Sequence, residues 1–299
     1  MAREVGIEFS YREVNGVKLH FASAGPEDGP LVVLLHGFPE FWFGWRDYFA
    51  PLAERGFRVV APDQRGYNLS GKPDGVEAYR LEVAAGDVFA LARALGRERL
   101  HVVGHDWGAS VAWTMAELDP QRLISVTMIQ APHPAVWLKA MREDPTQRHK
   151  SRYVQIVRMP WLAEMTLKLG DFAGLVRAFK SSARPEAFSP AILDRYREAW
   201  RRPGALTGML NWYRALFVED LPIPPPASLT PPTLVLWGDR DDFAIPGLAD
   251  ASLALCANGR LLRLPQATHW IIHDEPERVR AALLEHLERT APARPAASP

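Results

Sequence analysis

Val102-Val103-Gly104-His105-Asp106-Trp107-Gly108-Ala109-Ser110 reads as a strand running into a sharp turn and out into a helix. Leu100, Val102 and Val103 make an apolar lead-in interrupted only by His101, and Gly104 and Gly108 stand two residues either side of Asp106, the Gly-X-nucleophile-X-Gly spacing of a nucleophile elbow. Such a turn strains the backbone of its central residue and holds the side chain above the sheet, so only small neighbours fit beside it. Serine is the usual occupant, but here the position is aspartate. A carboxylate that attacks carbon gives an ester of the protein itself, which water must then hydrolyse. That suits a carbon bearing a leaving group, not acyl transfer from an amide. The plainer alternative is that Asp106 caps the helix starting at Trp107, since aspartate is a favoured N-cap. The motif alone does not choose between the two.

The chain has 299 residues, 47% of them hydrophobic, enough for one large core with an inserted segment. Its 35 basic and 35 acidic residues cancel, so the overall charge recommends neither nucleic acid nor an anionic membrane as partner. The single cysteine, Cys256, excludes an intrachain disulfide and gives no metal cluster. Met1-Ala2-Arg3-Glu4-Val5-Gly6 carries no apolar signal core, and no window reaches the ~18 apolar residues of a membrane span. The expectation is a cytoplasmic protein that needs neither metal nor cofactor.

Short apolar runs alternate with helical stretches, which predicts an α/β protein with helices on both faces of a mainly parallel, eight-stranded sheet. Residues 7–11 and 17–22 flank Asn15-Gly16, a strong hairpin signal, so the sheet should open with an antiparallel pair. Residues 31–35, 57–61, 100–103, 125–129, 233–237 and 260–264 read as buried strands, while 77–95 and 107–118 have helical periodicity. No strand-like run occurs between 129 and 233. Residues 134–221 are helical, aromatic and Arg-rich, and are expected to form a cap inserted between the sixth and seventh strands; 1–133 and 222–299 would then make the core domain. Leu221-Pro222-Ile223-Pro224-Pro225-Pro226 reads as a stiff extended connector, and the Pro/Ala-rich residues 291–299 as a disordered tail.

In doubly wound sheets ligands sit beyond the carboxyl ends of the strands, so the loops there should carry the chemistry. His36-Gly37-Phe38-Pro39 follows the third strand, and the N–H of Phe38 together with that of Trp107 could form an oxyanion hole; the bland alternative is a structural turn. Gly238-Asp239-Arg240-Asp241-Asp242 follows the seventh strand, and Pro265-Gln266-Ala267-Thr268-His269-Trp270 the eighth. The order Asp106, Asp241, His269 is that of nucleophile, acid and base on such a sheet. Met128-Ile129-Gln130-Ala131-Pro132 after the sixth strand holds no carboxylate, so the orienting acid must follow the seventh. Taken singly, a histidine near a helix start is more often a satisfied structural residue, and clustered aspartates a solvated loop. Both after the expected strands in the expected order favour the chemical reading.

Together these segments closely resemble the epoxide hydrolase branch of the α/β-hydrolase family, over roughly residues 7–287. The likeness is carried by His36-Gly37-Phe38-Pro39-Glu40, Ala61-Pro62-Asp63-Gln64-Arg65-Gly66-Tyr67, Gly104-His105-Asp106-Trp107-Gly108, Gly238-Asp239-Arg240-Asp241, and His269-Trp270 with Asp274-Glu275-Pro276 downstream. The resemblance implies the α/β-hydrolase fold with a helical lid. It also assigns the acid to the fourth residue of Gly-X-X-Asp, five before a proline, which fits Asp241 and Pro246 better than Asp239 or Asp242. Epoxide hydrolases also carry two lid tyrosines that hold the epoxide oxygen, one seven residues before a proline and one in Asn-Trp-Tyr-Arg. Tyr153 precedes Pro160 by seven, and Asn211-Trp212-Tyr213-Arg214 is intact. The implied partner is a small, apolar epoxide bound among Phe38, Trp107, Tyr153 and Tyr213, and the implied product a vicinal diol. Either tyrosine could instead pack its ring within the lid.

Haloalkane dehalogenases share the aspartate, the histidine and Trp107, and are the rival enzyme. They hold the departing halide with Trp107 and a second N–H donor; Phe38 cannot donate from its side chain, whereas Trp137, Trp161, Trp200 and Trp212 can. Fluoroacetate dehalogenases place an arginine after the aspartate, where this chain has Trp107. A non-catalytic ligand-binding protein is the third reading, because fold does not fix function. His36, Asp63, Arg65, His105 and His133 are expected to support loops, each buried charge needing a partner. The 15 basic and 9 acidic residues of 134–221 read as solvated helix faces, with a preference for anionic substrates as the alternative. Trp137, Met141, Met159, Trp161 and Phe172 suit an apolar pocket or the packing of a lid.

Overall fold

Asn15 (φ 46°) and Gly16 (φ 72°) both adopt the left-handed conformation that a two-residue hairpin demands. They join β1 (Glu8–Val14) to β2 (Val17–Ala24), in a computed structural model that describes residues 6–217 and 228–291. The remaining strands are β3 (Leu31–Leu35), β4 (Arg58–Pro62), β5 (Leu100–His105), β6 (Leu123–Ile129), β7 (Thr233–Gly238) and β8 (Gly259–Leu264). They form one eight-stranded sheet in the order β1-β2-β4-β3-β5-β6-β7-β8. β2 is antiparallel to both of its neighbours, and every other pairing is parallel. β3, Leu-Val-Val-Leu-Leu, is buried along its whole length, as expected for a parallel strand covered by helices on both faces.

Short α1 (Phe49–Glu54), α2 (Leu81–Ala94) and α3 (Trp107–Leu118) follow the first parallel strands, and α3 packs on β3, β5 and β6. The helix expected over 77–95 is divided. A 3₁₀ turn at Glu77–Tyr79 precedes α2, because Arg80 between them is extended (ψ 148°). Between β6 and β7 lie α4 (Pro134–Glu143), α5 (Pro145–Lys150), α6 (Tyr153–Val157), α7 (Leu162–Ser182), α8 (Pro190–Trp200) and α9 (Ala205–Ala215). Proline opens α4, α5 and α8, where its missing N–H is not needed and its fixed φ suits the first turn. Gly170, Asp171 and Phe172 are left-handed and break α7 into two. The connector expected at 221–226 lies outside the described residues, as do 292–299 of the tail. After β7 come α10 (Gly247–Leu253), α11 (Ile271–Asp274) and α12 (Pro276–Thr290), the last against β6.

The helices between β6 and β7 are tied to the loops at the carboxyl ends of the strands by specific bonds. Trp212 Nε1 donates to the Arg65 carbonyl (3.1 Å), Trp200 Nε1 to that of Pro39 (2.6 Å) and Gln147 Nε2 to that of Phe243 (2.8 Å). Among the described residues no helix is long and apolar enough to cross a membrane, and no His/Cys/Asp/Glu group could hold a metal.

The junction of β5 with α3 has no spare room. A Cβ on Gly108 would stand 2.1 Å from the Leu35 carbonyl oxygen, which is backbone and fixed in the sheet. Gly108→Ala should therefore destabilise the fold by about 3 kcal/mol, at the upper end for overpacking, seen as a lower urea midpoint. An unchanged midpoint would mean that the elbow can open without cost.

Candidate active site

Asp106 sits at the tip of that junction with φ 52° and ψ −119°, a conformation costly for any residue but glycine. The surrounding bonds impose it. Its N–H donates to the Ile129 carbonyl (3.1 Å), and its carbonyl accepts from Ala109 (2.9 Å) and Ser110 (3.1 Å). The side chain makes no capping bond to α3. Instead Oδ1 accepts the Phe38 N–H at 2.7 Å across the sheet end, so the capping alternative does not describe this residue. Gly37 is needed for that approach, since a Cβ there would fall 2.3 Å from Oδ1. The Trp107 N–H, next in the chain, belongs to the first helical turn, whose donors have no partner within the helix.

β7 and β8 deliver the other two groups. His269 Nδ1 lies 3.0 Å from Asp241 Oδ2, and its Nε2 lies 3.6 Å from Asp106 Oδ2. The neighbouring aspartates are placed differently: Asp239 pairs with Arg263 (2.6 Å) and Asp242 is exposed. Burial opposes ionisation of Asp241, yet His269, the Phe243 N–H and the Gln130 amide together hold its carboxyl below the usual carboxylate range. Burial likewise disfavours the imidazolium of His269, but Asp241, its hydrogen bond and then Asp106 outweigh it and raise the ring to about 9.

Asp106, His269, Tyr153 and Tyr213 all line one cavity of about 250 Å³ between the sheet and the helices of 134–215. Tyr153 opens α6 and Tyr213 lies on α9, with ring centroids 6.1 Å apart and the rings edge to face. Tyr213 also packs edge-on against Phe38 (5.2 Å) and Trp107 (4.9 Å). Burial first, and the Asp106 charge after it, push both phenols up, so both stay protonated beside the carboxylate. The remaining wall is largely apolar, including Trp137, Val157, Leu167, Leu175 and Phe179, and among the described residues that line it none is lysine or arginine. Of the four lid indoles, Trp200 and Trp212 donate to core carbonyls and Trp161 is 86% exposed, which leaves Trp137 at the cavity.

Residues 30–276 match Abhydrolase_1, the alpha/beta hydrolase fold. The chain belongs to the α/β-hydrolase family. This α/β-hydrolase is 43% identical to AB hydrolase superfamily protein YfhM of Bacillus subtilis (strain 168), over 95% of the chain and 99% of that protein. It is 34% identical to Epoxide hydrolase 4 of Homo sapiens, over 88% of the chain and 74% of that protein. The crystal structure of an epoxide hydrolase from Bacillus megaterium in complex with an inhibitor superposes with a TM-score of 0.85 at 29% identity, covering 93% of this chain and 100% of that one. Its relatives place this α/β-hydrolase in the epoxide hydrolase branch.

The polar residues expected to support loops all find partners, and none lines the cavity. His20 Nδ1 and the amides of Trp42 and Asn68 converge on Asp63, and Arg65 grips Asp87 through two bonds of 2.7 and 2.6 Å. His36 donates from Nδ1 to the Gly37 carbonyl and accepts the Gln64 N–H at Nε2, a pattern for a neutral ring, and burial lowers its pKa to match. His133 bridges to Glu117. His105 Nε2 donates to the His269 carbonyl at 2.8 Å, so it braces the loop that carries the imidazole. Three contributors were not singled out in the sequence. Glu40 is buried and accepts from Tyr196 Oη (2.5 Å) and His273 Nε2 (2.7 Å); its place in the quoted His-Gly-Phe-Pro-Glu run was the available signal. Phe243 gives its N–H to Asp241 and its ring to His269 (4.9 Å), and Gln130 reaches Asp241 from β6; neither position has a sequence pattern of its own.

Proposed function

We propose that this α/β-hydrolase is a cofactor-independent epoxide hydrolase working through a covalent aspartyl ester, with 1–133 and 222–299 as the core domain and 134–221 as the lid. The observation that carries the reading is the meeting of two protonated phenols with one buried-edge carboxylate in a single apolar cavity. Asp106 attacks an epoxide carbon and the C–O bond breaks. The charge that develops on oxygen is met by the hydroxyls of Tyr153 and Tyr213, one of which gives up its proton. His269, oriented by Asp241, then takes a proton from water as the water attacks the ester carbonyl, and the oxyanion faces the N–H groups of Phe38 and Trp107. The tetrahedral intermediate collapses as its C–O bond to the product breaks, and the departing alkoxide takes the imidazolium proton. The proton left on the Asp106 carboxyl returns to the tyrosinate, so the diol leaves with Asp106 restored as a carboxylate carrying one solvent oxygen. A dehalogenase would need a halide cradle, for which Trp107 and Trp137 are the remaining indoles.

Single turnover in heavy-oxygen water tests the covalent route. The first diol should take its new oxygen from Asp106 and the label should appear in the peptide containing Asp106; solvent label in that first diol would exclude the ester.

The pH dependence should divide the two half-reactions. Only a neutral imidazole can accept a proton, and in the resting protein the carboxylates hold His269 near 9. Esterification discharges Asp106, one of the groups that raise it, so the ring should titrate below 9 in the intermediate. Ester hydrolysis is then present above that lowered pKa and lost as pH falls through it, while ring opening does not share the limb. Stopped-flow single turnover across pH measures both constants, and a hydrolysis limb centred at or above 9 would contradict the coupling.

A further inference from the structure

We infer that Gln130 is a positioning residue for the Asp241–His269 pair, its side-chain amide joining the ends of β6 and β7 and holding Asp241 Oδ2 in line with the imidazole. The inference rests on the roles given to Asp241 and His269 above.

Gln130 is the first residue beyond β6, buried, and left-handed at φ 53°. That backbone is unfavourable for glutamine, and it sends the side chain across the end of β7. The backbone N–H donates to the Leu236 carbonyl (3.0 Å). Oε1 accepts the Gly238 N–H (2.5 Å), and Nε2 donates both to the Gly238 carbonyl (3.1 Å) and to Asp241 Oδ2 (2.6 Å). Reversing the amide would set an oxygen against two acceptors, so the network itself fixes the orientation. An ionised carboxylate offers about four acceptor sites, and Asp241 fills them: Oδ1 takes the N–H groups of Phe243 (2.5 Å) and Ala244 (3.2 Å), Oδ2 takes Gln130 and His269. Without the amide, Oδ2 would be held by the imidazole alone, the group it has to orient. A neutral donor also adds no charge where Asp241, Asp106 and Glu40 already act on His269.

Two substitutions separate positioning from simple space-filling. Gln130→Met keeps the length and removes both polar atoms. Gln130→Glu keeps the shape but can donate to Asp241 only while protonated. Hydrolysis of the preformed Asp106 ester should slow roughly ten- to a hundred-fold in Gln130→Met, the value of a hydrogen bond to a charged group, with KM and ring opening little changed. In Gln130→Glu the rising pH limb should become a bell, because the introduced carboxyl must keep its proton while the imidazole loses its own. The Nδ1–H resonance of His269, identified by its loss in His269→Gln, should move upfield in Gln130→Met. Hydrolysis and pH limb like those of the unaltered protein in both variants, or an unmoved resonance, would overturn the inference. If the unaltered protein turns over no epoxide the proposed reaction falls, and the resonance still decides what Gln130 does.

Discussion

His269→Gln should turn the protein into a trap for its own intermediate. In the proposed mechanism ring opening uses the Asp106 carboxylate and the two phenols, none of which this substitution replaces, whereas release of the ester uses His269 as a base, 3.6 Å from Asp106. Glutamine fills similar space and can still donate to Asp241 Oδ2, but it accepts no proton from water. Steady-state turnover should fall by roughly 10² to 10⁴, the usual worth of a positioned general base. A mass increment equal to that of the epoxide should meanwhile accumulate on the peptide containing Asp106. Rapid steady-state turnover by this variant would assign the base elsewhere, and loss of both turnover and adduct would mean that His269 also serves the first half-reaction.

The second large effect concerns the phenols. Ring opening makes an alkoxide, and both hydroxyls are kept protonated by burial and by the Asp106 charge. Tyr153→Phe with Tyr213→Phe removes both donors while leaving the edge-on ring contacts of Tyr213 to Phe38 and Trp107 available to phenylalanine. Epoxide turnover in the double variant should fall by about 10² to 10⁴ with the circular dichroism unchanged, and each single variant should lose less because one phenol remains. A halide leaves already charged and needs no proton, so any dehalogenation should be affected far less. Full epoxide activity in the double variant, with halide release by the unaltered protein, would favour the dehalogenase reading.

What could be read in advance followed from how local each signal is. The Asn15-Gly16 hairpin, the apolar strands and α3 are written in consecutive residues, and the structure places them within two residues of the expected bounds, except that β1 runs on to Val14, three residues past its expected end. The elbow was legible because glycine on both sides of one polar residue has few other causes. Asp241 and His269 could be placed only by assuming which strand ends lie together, and Tyr153 and Tyr213 only by resemblance, since a buried lid tyrosine has no sequence period. The split at Arg80 was hidden because the apolar spacing runs on across it. Gln130 shows the limit most plainly: its bonds join segments 108 and 111 residues apart, and nothing in Ile129-Gln130-Ala131 announces them.

The absence of lysine and arginine among the described residues of the cavity wall bears on what the protein meets in a cell. Most soluble metabolites carry phosphate or carboxylate groups that keep them in water and out of apolar surroundings. Such a molecule entering here would shed its hydration and find no free cation, because the imidazole is already flanked by Asp241 and Asp106. An isolated buried anion is too costly for that exchange. Neutral, poorly solvated electrophiles face no such penalty. The wall therefore sorts molecules by their affinity for water before it sorts them by shape, and a reactive carboxylate can stay open to solution without being occupied by the abundant anions around it.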